Sequence, residues 1–192
     1  RNRGIEILIS GTPVRTKEFT WNSTVNYSTN KNKLVSLSND QFKLQSGYVD
    51  EGATGEPIQK TTHRIFEGGE MGILWGFKTI GVNDDGYWLI EGRNGEVKSS
   101  LDVTDDDRQK IGNGLPKHFL SWDNSFTYKN FDLNVTMRGV FGYDIVNYPR
   151  MFYEVPVNLT RGNLLADAYK PKYGKVLNDQ QSLEYVSYFV EK

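Results

Sequence analysis

The stretch from Phe119 to Ile145, FLSWDNSFTYKNFDLNVTMRGVFGYDI, decides the architecture. On its first arm Leu120, Trp122, Phe126 and Tyr128 fall on one side, and Ser121, Asp123, Ser125 and Thr127 on the other. After a polar turn at Lys129-Asn130, the second arm sets Phe131, Leu133, Val135, Met137, Phe141, Tyr143 and Ile145 against Asp132, Asn134, Thr136, Arg138 and Asp144. Successive side chains of a strand point to opposite faces, so this period of two predicts a hairpin with one apolar and one polar face.

The same pattern recurs upstream, from Gly4 to about Ser28, around the polar turn Arg15-Thr16-Lys17-Glu18. Ile5, Ile7 and Ile9 alternate with Glu6, Ser10 and Thr12, with Leu8 as the exception; then Phe19, Trp21, Val25 and Tyr27 alternate with Thr20, Asn22, Thr24, Asn26 and Ser28. Strands of soluble domains usually run about 5 or 6 residues, whereas a tilted strand that crosses a bilayer needs about 9 to 11. These arms are of the second kind, and their aromatic residues gather toward the strand ends, as an interfacial girdle requires. A long amphipathic hairpin over a soluble core carries the same alternation. The alternative reading is therefore a soluble β-sandwich whose aromatic loops hold carbohydrate.

The nearly ninety residues between the hairpins alternate only briefly. Asp84-Asp85-Gly86 and Arg93-Asn94-Gly95 have turn composition. Thr104 followed by three aspartates, then by Arg108, Lys110 and Gly112, has the signals of one short helix. An insertion of this length is foreign to a compact soluble sheet and ordinary on the outer side of a transport barrel. The expected organisation is a hairpin over 1–30, a long external loop over 31–116, a second hairpin over 117–146, a second external loop over 147–183, and the start of a further strand over 184–192. The short turns would then face the periplasm.

Whole-chain properties agree with an all-β antiparallel fold. The chain has 192 residues, 13% of them aromatic and 19 of them glycine, with 37% hydrophobic, a lean apolar share that suits strands with large loops. A net charge of −1 offers no field for phosphates, so nucleic acid is not expected as a partner. Absent cysteine excludes disulfides and thiolate chemistry. No run of about 18 apolar residues predicts a spanning helix, which leaves strands as the membrane option. The first residues lack the apolar core of a signal peptide and read like the middle of a protein. Four strands cannot close a barrel, since the smallest use about eight, so further strands of the same gene product are expected to complete it.

Candidate ligand contacts are aromatic. Trp75, Phe77, Tyr87 and Trp88 in the first loop, with Tyr148, Phe152 and Tyr153 in the second, can stack on sugar rings or peptide side chains, or else pack the loops against each other or a lid protein. Asp105, Asp106 and Asp107 suit a solvated helix start better than a cation site. His63 and His118 are the only histidines and are far apart in sequence, without zinc-ligand spacing. Arg138 is expected to pair with Asp132 or Asp123 on the polar face. No nucleophile, metal set or acid pair has a recognisable spacing, so neither an enzyme nor a cofactor is expected.

The segments NRGIEILISGTPVRTKEFTWNSTVNYSTNKNKLVSL, DDDRQKIGNGLPKHFLSWDNSFTYKNFDLNVTMRGVFGYDIVN and YVSYFVEK resemble the C-terminal barrel region of the SusC/RagA-like TonB-dependent transporters. That resemblance implies a location in the bacterial outer membrane, in contact with lipid, and a 22-stranded barrel with an N-terminal plug. It also implies TonB as the energy source acting through the plug, a SusD-like lipoprotein as lid, and glycans or peptides as cargo. The plug and TonB box have no counterpart in these residues. Where many members carry a calcium-loop-like Asp-x-Asn-Gly-Asp-Gly, this chain has Arg93-Asn94-Gly95-Glu96 and then Ser99-Ser100-Leu101-Asp102, which offers too few oxygen ligands for a metal site.

Overall fold

The computed structural model describes residues 1–39, 41–56 and 58–192. Its strands are β1 (Asn2–Arg15), β2 (Phe19–Asn32), β3 (Tyr48–Ala53), β4 (Thr61–Phe66), β5 (Ile73–Gly76), β6 (Lys78–Val82), β7 (Trp88–Glu91), β8 (Val97–Ser99), β9 (Gln109–Asn113), β10 (His118–Tyr128), β11 (Phe131–Phe141), β12 (Ile145–Val146) and β13 (Val190–Glu191). One α-helix, α1, spans Tyr148–Tyr153. No helix among the described residues is long and apolar enough to cross a membrane.

The four long strands form an antiparallel sheet in the order β1-β2-β10-β11, which we call the wall. Strand β10 pairs directly with β2 although some 85 residues separate them in sequence, so the wall is an up-and-down meander interrupted by one large insertion. Both short turns lie at the same end. There the Lys129 N–H donates to the Glu18 carbonyl at 2.9 Å, and the two side chains form an ion pair at 3.4 Å. Pro13, which has no N–H to give a ladder, sits in a register shift between Gly11 and Val14 that keeps Val14 on the face of Ile5, Ile7 and Ile9.

Register then builds one face row by row: Phe19-Tyr128-Phe131, Val14-Trp21-Phe126-Leu133, Gly11-Ser23-Asn124-Val135, Ile9-Val25-Trp122-Met137, Ile7-Tyr27-Leu120-Gly139 and Ile5-Thr29-His118-Phe141. Much of this face is open: Phe131 is 76% exposed, Ile9 66%, Ile5 62% and Leu133 59%. None of it contributes to the buried core, and no second sheet covers it among the described residues. A sandwich would bury such a face. The opposite face is polar except at Leu8, Phe119 and Val140, and it bonds across strands, with Ser10 to Thr24 at 2.9 Å, Thr12 to Asn22 at 2.8 Å, Thr136 to Asp123 at 2.7 Å and Thr127 to Asp132 at 2.8 Å. Arg138 lies opposite Ser121, six residues or about 20 Å along β11 from Asp132, and Asp123 accepts from Thr136 instead. Arg138 accordingly forms no ion pair with either, a correction to the sequence reading.

The core belongs to a second body at the opposite end from the turns, built from both long connections. Ile58, Val82, Trp88 and Ile90 from the first pack with Met151, Val155, Leu177, Tyr185, Val186 and Phe189 from the second. Two small sheets, β3-β4-β5-β9 and β6-β7-β8, frame it. The helix expected from Thr104 onward is a single 3-10 turn at Asp105–Asp107. Arg108 leaves it extended because its guanidinium donates to the Thr61 and Trp75 carbonyls at 2.7 Å each, and Gln109–Asn113 then complete a sheet beside β5. Tertiary bonding overrides the local helix signals. The helix that does form, α1, is capped where Asn147 Oδ1 accepts the Arg150 N–H at 3.1 Å. The closing residues, expected to open another wall strand, pack into this body instead: Val186 and Phe189 are fully buried, and Val190–Glu191 pair with Ile145–Val146.

Candidate functional site

Where the closing segment meets the first insertion, a cleft of about 300 Å³ is lined by Lys60, Phe77, Ser100, Val103, Thr104, Asp105, Arg108 and the run Ser182–Tyr185. Phe77 is placed there by a backbone bridge to Val186, with the Ser187 N–H donating to the Phe77 carbonyl at 2.9 Å. Beside it Tyr185 is buried, and its hydroxyl donates to the Thr62 carbonyl at 2.7 Å. Burial pushes the Tyr185 phenol well above its usual range. Burial also pushes the Glu184 carboxyl up, against the pull of Arg161 at 3.3 Å. The cleft thus offers one aromatic edge, a carboxyl held partly out of water, and exposed charges of both signs at Lys60 and Asp105. It is equipped to bind a polar, bifunctional ligand.

The seven aromatic candidates do not converge. Trp88 is fully buried, its indole N–H donates to the Leu183 carbonyl at 3.1 Å, and its ring packs against Tyr173, Tyr188 and Phe189. It is a core residue, which corrects its assignment as a ligand contact, because no ligand reaches a ring without exposed surface. Trp75 lies under two guanidinium groups, Arg64 at 4.8 Å and Arg93 at 5.1 Å, and meets Phe66 edge-on. Arg64 is itself 3.8 Å from the Tyr48 ring and forks onto Asp50 at 2.6 Å, which holds the Asp50 carboxyl below its usual range. The indole nitrogen of Trp75 is buried and has no hydrogen-bond partner among the described residues.

Of the others, Phe77 is half-buried in the cleft, and Tyr87 is half-buried in the Asn83–Tyr87 turn. Tyr148 and Tyr153 are exposed, with Phe152 edge-on to Tyr153 at 4.7 Å. No motif singled out Lys60, Arg108, Glu184 or Tyr185 as a site residue; they meet only because the two connections fold together. The Asp107 carboxylate accepts from Lys98 Nζ at 2.9 Å and from the Thr104 N–H at 2.9 Å, so an ammonium group occupies the one deeply placed acid of that triplet and holds it ionised. His63 bonds to Thr62 in the body and His118 to Tyr27 on the wall.

No family model matches the chain. It is 31% identical over 160 residues to TonB-dependent receptor P3 of Formosa agariphila, a match covering 77% of this chain and 15% of that protein. It is 26% identical over 183 residues to TonB-dependent receptor P26 of the same organism, covering 89% of this chain and 18% of that one. The chain therefore spans less than a fifth of the length of these curated relatives. A solved structure of the RagAB peptide transporter superposes on all of this chain and on 21% of its own, with a TM-score of 0.71 at 15% identity. At that identity the likeness is one of fold.

Proposed function

Since the chain belongs to the TonB-dependent receptors, we propose that the wall is part of the barrel of an outer-membrane nutrient importer of the SusC/RagA-like kind and that the body forms part of its external vestibule. The observation that carries this reading is the uncovered apolar face. Its six rows span eleven residues of β2, from Phe19 to Thr29, whose ten steps cover about 33 Å along the strand and about 25 Å along the membrane normal at a tilt near 40°. That is the height of the apolar band on outer-membrane barrels. Aromatic rows close the band at both ends, with Phe19, Tyr128 and Phe131 at the turns and Tyr27, His118 and Phe141 below the body. Its polar reverse face would then line the lumen, and strands beyond β1 and β11 would satisfy the two free edges of the sheet.

In this reading the whole protein takes up oligosaccharide or peptide, is energised by TonB through a plug, and works beneath a SusD-like lipoprotein lid. Peptide is the better fit to the cleft, because Lys60 and Asp105 oppose the charges of peptide termini and side chains while Phe77 supplies an apolar edge. The exposed Tyr148 and Tyr153 suit contact with cargo or lid. The test compares uptake of labelled peptides and oligosaccharides by cells that express the full-length protein, lack it, or lack TonB. Uptake of one class that disappears in both deletions supports the proposal; uptake of both classes that is unchanged by either deletion overturns it.

A further inference from the structure

Above the last apolar row the same face continues into cations. Arg3 and Lys31 are direct cross-strand partners, and Arg1 and Lys33 follow, with the Lys33 N–H donating to the Arg1 carbonyl at 2.8 Å. Strand alternation keeps these four on the side of Ile5 and Thr29. They border an open groove of about 250 Å³ together with Asn32, and all four are exposed. Among the described residues none of them has a carboxylate within 4.0 Å. The acid nearest in the adjoining groove, Glu70, is already held by Lys110 and Asn113.

Like charges directly opposite each other on adjacent strands weaken a sheet, so a counter-charge from outside these two strands would stabilise the pair. Its height says where that counter-charge lies. One strand row is about 6.6 Å, or about 5 Å along the normal of a tilted strand, so Arg3 and Lys31 sit just beyond the apolar band, at headgroup level. There long basic side chains lay their stems along apolar surface and lift their charges into the interface.

We propose that Arg1, Arg3, Lys31 and Lys33 clamp the phosphate of an outer-leaflet lipid headgroup, whose acyl chains lie down the Ile5–Ile9 face. This rests on the barrel reading. It adds a specific lipid site to it, one that ties the outer rim of the wall to phosphorylated lipid.

The test uses the full-length receptor purified in detergent and native mass spectrometry with lipid A as probe, either phosphorylated or enzymatically dephosphorylated. Heat-modifiable gel migration is read in parallel to report a folded barrel. The unaltered receptor is expected to retain phosphorylated lipid A about six-hundredfold better than the dephosphorylated form, since each of the four cations near an anionic headgroup contributes about fivefold. Arg3→Gln/Lys31→Gln/Lys33→Gln should remove that preference, and the charge-preserving pair Arg3→Lys/Lys31→Arg should keep it, which guards against a variant that merely folds badly. Equal retention of both lipids by a heat-modifiable receptor overturns the clamp and leaves the barrel standing. Displacement of the lipid by millimolar inorganic phosphate overturns the lipid as ligand in favour of free phosphate. A receptor without heat-modifiable migration sinks the barrel reading itself.

Discussion

The Trp122 indole N–H donates to Ser23 Oγ at 2.8 Å. One row neighbour answers it, for the Trp21 N–H donates to Asn124 Oδ1 at 3.0 Å, and Ser23 and Asn124 are themselves cross-strand partners. Two polar side chains in an otherwise apolar field are thus each covered by an indole. In lipid this matters twice, because it satisfies donors that have no water to turn to and acceptors that would otherwise stand bare.

A double-mutant cycle of Ser23→Ala and Trp122→Phe in the full-length protein is therefore expected to show a favourable coupling of about 0.5–1.5 kcal/mol. Urea unfolding in lipid vesicles measures it. Additive single effects would show that the indole gains nothing from the serine.

The two faces of the wall should answer a charge differently. Met137→Arg, in a central row of the apolar face, is expected to cost about 2–4 kcal/mol in a bilayer, and Asn134→Arg on the polar face less than about 1 kcal/mol. Vesicle unfolding of the two variants checks the contrast, and equal costs would mean that the apolar face does not meet lipid.

Trp88→Ala empties the centre of the body, where the ring is fully buried. The expected loss is about 3–5 kcal/mol, seen as faster hydrogen exchange in β6, β7 and residues 185–189 while the barrel stays heat-modifiable. Tyr148→Ala and Tyr153→Ala, at exposed rings, should leave that exchange unchanged and act only on cargo or lid binding.

Glu184 gives the body a pH dependence of defined sign. Burial raises its folded-state pKa above the ordinary 4.5, so the fold favours the protonated form. The stability linked to this group is present below the unfolded pKa and is lost as pH rises through the folded one. Glu184→Gln, which mimics the protonated form, is expected to slow exchange in the body at pH 8 by an amount equivalent to about 1 kcal/mol and to change little at pH 4. An effect of equal size at both pH values would refute burial as the cause.

The wall was legible in the sequence because, apart from Leu8 and the register shift before Val14, its residues follow a period of two. Ile5, Tyr27, Trp122 and Leu133 announce their face without knowledge of any partner. The body was not, because its determinants are pairs distant in sequence. Nothing near Trp88 foretells Leu183 or Phe189, so an aromatic side chain in a loop could be read either as a ligand contact or as packing. The segment after Thr104 shows the same limit in backbone form, since helix-start chemistry at Asp105–Asp107 yields to the carbonyls of Thr61 and Trp75 that draw Arg108 into an extended path. The cleft follows suit, with Lys60, Phe77, Arg108 and Glu184 drawn from separate stretches of chain.

The shared core of the body also bears on how such proteins diversify. Both connections leave the wall at the end opposite its two short turns, and the first returns beside its own exit, where the Asn30 N–H meets the Lys117 carbonyl. On geometry alone it is a cassette that recombination could exchange without disturbing a single rung of the barrel. Yet Trp88 from one connection is packed by Tyr188 and Phe189 from the other. A lineage that swapped the first insertion alone would inherit a mismatched core, so on the transport reading proposed above the unit of exchange is the pair of connections rather than either one.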